Sequence, residues 1–382
     1  MSLSECAVEQ ISPAPSLPPA AVSARKPALD SLTGIRFFAA LHVVFYHFAP
    51  KTAGFERFPE PLQRFILAGP SSVGLFFILS GFIMSYNYAG RPVNKARFWS
   101  ARFARIYPLY LLGFILFAPF AWLKYRSSPP HLIVAAALAV LLLQAWTTMA
   151  TNWNAPGWSL SAEAMFYLLF PLAIPLIARL SRRSILWCVV ILAAGCLVAP
   201  IAYTAGYIPH DVWHGWLMYN PLLWLPAFLI GILVERSGIR VSSGAGWAAA
   251  LLIVALCAIC PRPDQELLSH GALYAPFAIL ICSLGASNGI LSAPALVLLG
   301  EASYALYILH MPLWNTLVGS YTWITTGRQT NEASHMASFV VYVVICVCIS
   351  IVCFKKIEQP SREWLKARLS RRPVVTARKA AA

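Results

Sequence analysis

Residues 34–48 read GIRFFAALHVVFYHF, an apolar stretch with an arginine near its start and a histidine near its end. As an α-helix, the eleven-residue step from Arg36 to His47 makes three turns plus about 20° and rises about 16 Å. Both side chains would then lie on one face, near opposite sides of a membrane. A guanidinium in hydrocarbon costs about 3 kcal/mol or more, so it normally faces a polar cavity. The stretch therefore predicts a membrane helix that contributes to a functional site.

The composition excludes a water-soluble globular protein. Of the 382 residues, 59% are hydrophobic and 11% are charged, whereas soluble domains contain about 25% charged residues. The formal net charge is +15, and the basic residues concentrate at span ends and in the final segment. This distribution favours the cytoplasmic side and anionic membrane lipid over nucleic acid. Eight of the nine cysteines lie in apolar runs, where small packing residues are expected, and no metal site is predicted.

Apolar runs of about 17 to 25 residues predict the fold class. The class is all-α, a polytopic transmembrane helix bundle. The eleven predicted hydrophobic segments are 34–50, 70–89, 107–123, 131–149, 158–178, 184–204, 216–234, 244–260, 271–289, 294–318 and 337–354.

Loop charge predicts the topology, because loops rich in lysine and arginine stay in the cytoplasm. If all three segments between residues 107 and 178 crossed the membrane, the basic C-terminal tail would lie outside. One of the three is therefore predicted to be re-entrant or tilted, which leaves about ten crossings with both termini cytoplasmic. The proline- and tryptophan-rich segment 153–158 is the expected place for irregular backbone.

Composition also divides the chain into three parts. Residues 1–28 are rich in proline, alanine and serine and are predicted to form a disordered cytoplasmic leader. Residues 29–358 form the predicted membrane domain, and residues 359–382 form a basic cytoplasmic tail.

A polar stripe gives His47 a candidate partner. Alone, a membrane histidine most often bonds to a neighbouring helix, and His42, about 140° around the helix from His47, suits that role. Ser159, Glu163 and Tyr167 recur every four residues and so share one helix face. A buried carboxylate needs a cation or a hydrogen-bond donor. A neutral imidazole oriented by Glu163 would be a general base, able to deprotonate an acceptor hydroxyl.

A second stripe contains Ser303, Tyr307 and His310. His310 could bind acceptor hydroxyls together with Tyr307, or it could support the site at His47. A helix-packing polar cluster explains the same pattern equally well. The sequence leaves these alternatives open.

Two further motifs suit substrate binding. Arg102 and Arg105 share a helix face at the predicted cytoplasmic interface, where arginines commonly anchor topology. Two guanidiniums on one face also form a fork suited to phosphate. Ser80 and Gly81 form a small pair that permits close approach of a helix or a ligand, and Ser80 as a nucleophile is a minor alternative.

Five short motifs occur in order along the chain: LDSLTGIRFFAA (29–40), FFILSGF (76–82), RFARIYP (102–108), WSL (158–160) followed by Glu163, and SYALYILH (303–310). Together they resemble the integral-membrane family often called acyltransferase family 3, whose members O-acylate surface polysaccharides, lipid-linked sugars and some antibiotic sugars. The resemblance covers about residues 29–362. Members often carry two adjacent acids after Trp-Ser-Leu, whereas here Ala164 follows Glu163.

The resemblance implies a membrane O-acyltransferase that has no permanently bound cofactor and uses acetyl-CoA, or another acyl-CoA, as co-substrate. The acceptor would be a hydroxyl of a surface or exported glycan, such as an exopolysaccharide or O-antigen, in free or lipid-linked form. The family's Arg-x10-His pattern corresponds to Arg36 and His47, and its Arg-x-x-Arg pattern to Arg102 and Arg105. Arg102 and Arg105 would hold the donor phosphates, Arg36 would stabilise the pantetheine end or developing negative charge, and His47 would activate the hydroxyl.

The rival prediction is a polytopic transporter or flippase of a lipid-linked or small polar substrate. About ten spans, buried charges and a central polar stripe are also typical of substrate pathways. No internal repeat is apparent in the sequence, which counts mildly against a transporter built from repeats. Covalent labelling of carbohydrate by radiolabelled acyl-CoA would discriminate between the two classes.

Overall fold

A computed structural model gives the fold. The described residues form helices and no β-strand, which confirms the predicted all-α class. The predicted leader, except for Ala28, and the last residues of the predicted basic tail, 371–382, lie outside the described part. The described residues are 28–88, 90, 92–261, 265–286, 289–320, 324 and 336–370.

The helices are numbered here in chain order. A π-helical turn, Phe354–Glu358, joins the last two. The bounds are α1 Asp30–Phe48, α2 Glu60–Leu67, α3 Ser71–Tyr88, α4 Lys95–Tyr125, α5 Pro129–Val140, α6 Gly157–Ile177, α7 Arg182–Gly195, α8 Val198–Thr204, α9 His210–Gly215, α10 Pro221–Ser237, α11 Ser243–Ile259, α12 Gln265–Leu267, α13 Tyr274–Gly285, α14 Pro294–Glu301, α15 Ser303–Trp314, α16 Met336–Cys353 and α17 Gln359–Ser370.

Several of these helices are candidate membrane spans. By length and composition, five helices in the described part could cross a membrane, and four bent pairs raise the number to nine. The other two predicted segments contain the shorter apolar helices α5 and α11. All eleven predicted segments thus contain a helix, which confirms the polytopic helical class. The count of ten crossings stays a prediction.

Helix α5 is the shortest of the three helices between residues 107 and 178. It has 12 residues, so it rises about 18 Å, whereas a hydrocarbon core is about 30 Å thick. The predicted helical segment 131–149 was therefore too long, because the helix stops at Val140. Leu142 then adopts a left-handed backbone conformation, with φ at 57°. A right-handed α-helix cannot continue through such a residue. The length of α5 is the shortest of the three, and the choice of the segment that does not cross stays a prediction.

Irregular backbone lies between α5 and α6 and includes residues 153–156 of the predicted segment 153–158, whereas Gly157 and Trp158 already belong to α6. Side chains satisfy its polar groups: Nε2 of Gln144 donates to the Gly157 carbonyl at 2.7 Å, and Oγ of Ser161 donates to the Leu142 carbonyl at 2.6 Å. Asn154 also donates across to α15. Non-helical backbone at membrane depth requires such protein partners, because lipid offers none.

Two glycines allow α3 and α10 to cross at very short distance. A Cβ atom on Gly81 would lie 2.1 Å from the Phe228 carbonyl oxygen, and one on Gly231 would lie 2.0 Å from the Ile78 carbonyl oxygen. These contacts confirm that the small pair containing Gly81 permits close helix approach. The crossing holds α3 in the position from which Ser80 reaches the site described below.

Replacing Gly81 with alanine should destabilise the protein by about 1–3 kcal/mol, because the new methyl group meets a backbone oxygen that cannot rotate away. The measurement is thermal unfolding in detergent. Gly244→Ala in α11 is the matched control, since a Cβ there meets no atom within 4 Å. Equal melting temperatures for the two variants would contradict the packing interpretation.

Candidate active site

Helices α1, α3, α4, α6 and α15 line a cavity, called here the arginine cavity, whose walls are largely apolar and carry several polar side chains. Its volume is about 90 Å³, enough for several water molecules or the narrow end of an extended ligand. Of the eight predicted site residues, six line it, and His47 and His310 lie outside. Its polar lining consists of Arg36, Ser80, Arg102, Arg105, Ser159, Glu163, Tyr167, Ser303, Tyr304 and Tyr307.

The guanidiniums of Arg36, Arg102 and Arg105 converge on this cavity, and none has a carboxylate at ion-pair distance among the described residues. Within the same part of the chain, Nε of Arg102 is buried without a hydrogen bond. The Arg102 guanidinium carbon lies 5.8 Å from the Tyr167 ring centroid, within range of a cation–π contact. Unpaired donors of one charge around a cavity are suited to an anionic ligand.

Glu163 supplies negative charge to the same cavity. Its Oε1 accepts hydrogen bonds from Oγ of Ser80, at 3.2 Å, and from the Tyr167 hydroxyl. Ser159, Glu163 and Tyr167 all line the cavity, which confirms that they share one helix face. The carboxylate also interacts electrostatically with Arg36 and Arg105. Glu163 therefore offsets part of the arginine charge and orients two hydroxyl groups.

The sequence interpretation missed a second acid, Glu358. Its side chain is only 2% exposed, and its electrostatic partners include Arg36, Arg105 and Arg362. Oε1 lies 3.6 Å from Nη1 of Arg362, whereas Oε2 is buried without a hydrogen bond. In the sequence, Glu358 stands at the start of a basic tail and looks solvent-exposed. One signal in the sequence could have indicated its role. Arg362 follows four residues later, which is the spacing of an ion pair on one helix face.

The two predicted histidines meet each other at the far end of α1 from Arg36. Nε2 of His310 lies 3.2 Å from Nδ1 of His47, and the ring centroids are 5.0 Å apart. His310 is fully buried, whereas His47 is partly exposed. This contact, called here the histidine pair, favours a supporting role for His310 among the three alternatives.

Backbone carbonyls set the tautomers of the histidine pair. Nδ1 of His47 lies 2.9 Å from the Val43 carbonyl oxygen, and Nδ1 of His310 lies 2.7 Å from the Tyr307 carbonyl oxygen. A carbonyl oxygen only accepts, so both Nδ1 atoms carry hydrogen. Nε2 of His310 is then the acceptor that faces the Nδ1–H of His47. Nε2 of His47 is left unprotonated and without a hydrogen bond in the described part, which is the state of a general base.

Glu163 does not orient His47, contrary to the sequence interpretation. The described residues contain no hydrogen bond between them, since Glu163 bonds to Ser80 and Tyr167 and His47 bonds to His310. Helix α15 connects the arginine cavity to the histidine pair instead. Its Tyr307 lines the arginine cavity, and the Tyr307 ring centroid lies 6.1 Å from that of His310.

His42 has the packing role that its position predicted. Its Nδ1 lies 2.9 Å from Oγ of Ser72, and its Nε2 lies 2.7 Å from the Phe65 carbonyl oxygen. Both ring nitrogens are therefore occupied by neighbouring helices, which leaves none for catalysis.

Comparisons with known proteins found relatives whose sequences align with most of this chain. A family model described as an acyltransferase domain matches residues 29–355. Acyltransferase MdmB of Streptomyces mycarofaciens is 30% identical, over 91% of this chain and 95% of that protein. O-acetyltransferase OatA of Staphylococcus aureus (strain NCTC 8325 / PS 47) is 23% identical, over 88% of this chain and 57% of that protein. Nodulation protein 10 of Rhizobium leguminosarum bv. viciae is 24% identical, over 88% of this chain and 94% of that protein. No solved structure matches the chain.

The unpaired guanidiniums predict that inorganic pyrophosphate binds and stabilises the protein. Pyrophosphate should raise the melting temperature of the unmodified chain in detergent, because a ligand that binds only the folded state stabilises it. The double variant Arg102→Gln, Arg105→Gln should lose this increase. Arg97→Gln is the matched control, because it removes one charge from an exposed position of the same helix. A pyrophosphate response that survives the double variant would exclude the cavity as the anion site.

Proposed function

The chain belongs to the acyltransferase family whose model matches residues 29–355, and on this premise we propose that it moves an acyl group from cytoplasmic acyl-CoA to a hydroxyl of a surface or exported glycan. Family membership and several apolar helices make it a multi-pass membrane acyltransferase. The donor, the acceptor, the inner-membrane location and the cytoplasmic termini belong to the proposal. Acetyl is the expected acyl group, because one relative is named an O-acetyltransferase.

The observation that carries the proposed donor is the set of three unpaired guanidiniums around one cavity. Coenzyme A is polyphosphorylated, and arginine forks bind phosphate with two hydrogen bonds each. Arg102 and Arg105 lie in the first half of α4, close to the loop that its charge assigns to the cytoplasm. They would hold the phosphates, while the thioester end of the donor enters the narrow cavity towards Arg36.

The transfer step follows from the histidine pair. Nε2 of His47 takes the proton of the acceptor hydroxyl while its oxygen attacks the thioester carbonyl carbon. The carbon–sulfur bond then breaks, and the thiolate of coenzyme A leaves with that proton. Arg36, about 16 Å from His47 along α1, would hold the pantetheine part of the donor, and His310 would position the imidazole through Nδ1 of His47. The products are an ester of the acceptor and free coenzyme A.

The distance along α1 bears on whether transfer is direct. Arg36 and His47 stand at the two ends of one uninterrupted helix, about 16 Å apart along the axis. Either the thioester extends past Tyr307 to the histidine pair, or a side chain carries the acyl group from the arginine cavity to the histidine pair. An acyl-enzyme would give a burst of coenzyme A release and a trappable adduct, whereas direct transfer would give neither.

The transporter interpretation makes a different prediction from the same cavity. A transporter moves its substrate unchanged, so radiolabelled acetyl-CoA would leave no covalent label on carbohydrate. The family match favours transfer over transport. Comparison of glycans from a deletion strain and its parent by NMR would identify the acceptor and the acyl group together, through the ester signal that the deletion removes.

His47→Ala should abolish acetylation, with a loss of at least about 100-fold in rate, because it removes the general base. The measurement is the transfer of radiolabel from acetyl-CoA to carbohydrate in membranes that contain equal amounts of each protein. His210→Gln is the control, since that histidine is exposed and lies outside the site. An active His47→Ala protein would exclude the proposed base.

Separate binding and chemical sites predict different kinetic effects for two variants. His310→Ala should lower kcat about tenfold or more while the KM for acetyl-CoA stays within about twofold, because His310 lies outside the arginine cavity. Arg105→Ala should chiefly raise that KM. Because His310 is buried, folding of its variant is checked by the pyrophosphate-induced increase in melting temperature. Equal kinetic changes in both variants would contradict this division.

A further inference from the structure

A second cavity lies at the end of α1 that is opposite to Arg36. It is called here the lysine cleft, and its volume is about 420 Å³, within the range of about 300–1,000 Å³ that is usual for small-molecule sites. Its lining includes Phe48, Lys51, Lys124, Trp153, Met311 and Asn315.

The lysine cleft adjoins the histidine pair. The Phe48 ring centroid lies 6.1 Å from that of His47 and 5.8 Å from that of His310. Met311, which follows His310 in α15, also lines the cleft. The histidine pair thus lies between the two cavities: Tyr307, in van der Waals range of His310, lines the arginine cavity, and Phe48 and Met311 line the lysine cleft.

The charge of the cleft is uncompensated. Lys51 lies 5.5 Å above the Phe48 ring, and Lys124 lies 4.9 Å above the Tyr125 ring. Neither ammonium group forms an ion pair within the described ranges, and no acidic residue appears in the lining of the cleft. The predicted topology puts both lysines outside the cell, on the side where lysine is normally disfavoured. Both lysine side chains are exposed, so their ammonium groups are accessible to a ligand of opposite charge in the cleft.

The walls of the cleft are suited to a saccharide. Trp153 is held rigidly, because it stacks on Phe114 with ring centroids 4.5 Å apart and donates from Nε1 to the Phe114 carbonyl at 3.0 Å. The side-chain amide of Asn315 has no hydrogen-bond partner in the described structure. A fixed aromatic wall with a few convergent polar groups is the usual form of a specific small-ligand site.

We propose that the lysine cleft binds the acceptor and that the acceptor is a saccharide with an anionic group, either a carboxylate or a phosphate. Lys51 and Lys124 bind that group, and the cleft directs a hydroxyl of the same molecule to Nε2 of His47. The inference rests on the proposed function, because it assigns the second substrate of that reaction.

The test measures binding of three small probes to the full chain in detergent, without acyl donor. The probes are methyl β-glucopyranoside, methyl β-glucuronide and methyl β-glucopyranoside 6-phosphate, titrated by saturation-transfer NMR. At least one anionic probe should bind about tenfold more tightly than the neutral one, as expected for charge-assisted hydrogen bonds. The tighter of the two anionic probes identifies carboxylate or phosphate as the preferred group.

Variants locate the effect. Lys51→Gln and Lys124→Gln should each remove most of the anion preference, and Lys124→Arg should retain it. Arg126→Gln is the matched control, because Arg126 is exposed near the same end of α4 and lies outside the cleft lining.

Equal or undetectable binding of all three probes, or equal effects of Lys51→Gln and Arg126→Gln, would overturn the inference. These outcomes do not depend on the donor, so they are distinguishable from failure of the proposed function. Loss of radiolabel transfer with an intact anion preference would contradict the acyltransfer reaction alone. Transfer to neutral glycans that tolerates both lysine variants would contradict the cleft alone.

Discussion

Three guanidiniums must be kept inside a lipid-embedded bundle, and much of the architecture follows from this constraint. Arg36, Arg102 and Arg105 come from two different helices and face one small cavity. Glu163 and Glu358 are the acids that interact with them, and Glu358 is shared with Arg362. Glu301 also interacts with Arg362, so four cations stand against three carboxylates and the site retains positive charge. Because uncompensated charge in hydrocarbon is costly, an anionic ligand would complete the site electrostatically.

The interruptions of the helices lie close to this charged centre. The irregular chain between α5 and α6 ends where Gly157 begins α6, six residues before Glu163. The bend between α14 and α15 places Ser303 at the start of the helix that carries Tyr307 and His310. Backbone breaks at membrane depth survive only where protein satisfies the freed groups. Here the side chains of Gln144, Asn154 and Ser161 bond to backbone carbonyl groups at or near the irregular chain, and these bonds also link it to α6 and α15 of the site.

Periodicity and charge were enough to select six of the residues that line the arginine cavity, whereas their grouping in one cavity without His47 came from tertiary contact. Ser159, Glu163 and Tyr167 share a face because helices repeat every 3.6 residues, and arginines in apolar runs must turn inward. The partner of His47 could not be found in this way, because His310 lies 263 residues away in the chain. Glu358 was missed because burial of a tail residue depends on how α16 and α17 pack. The early end of α5 was missed because the left-handed turn at Leu142 leaves no trace in hydropathy.

On the proposed function, two cavities near opposite ends of one helix would let a cytoplasmic donor serve an exported acceptor. Helix α1 presents Arg36 to one cavity and Phe48 to the other, and Lys51 follows in the turn after the helix. On the proposed function, neither coenzyme A nor the saccharide has to cross the bilayer, since only the acyl group moves along α1. Both substrates are polar and large, so the cost of moving either through hydrocarbon would far exceed that of moving an uncharged acyl group. A rigid helix of about three turns between the two ends then sets the distance that the chemistry must bridge.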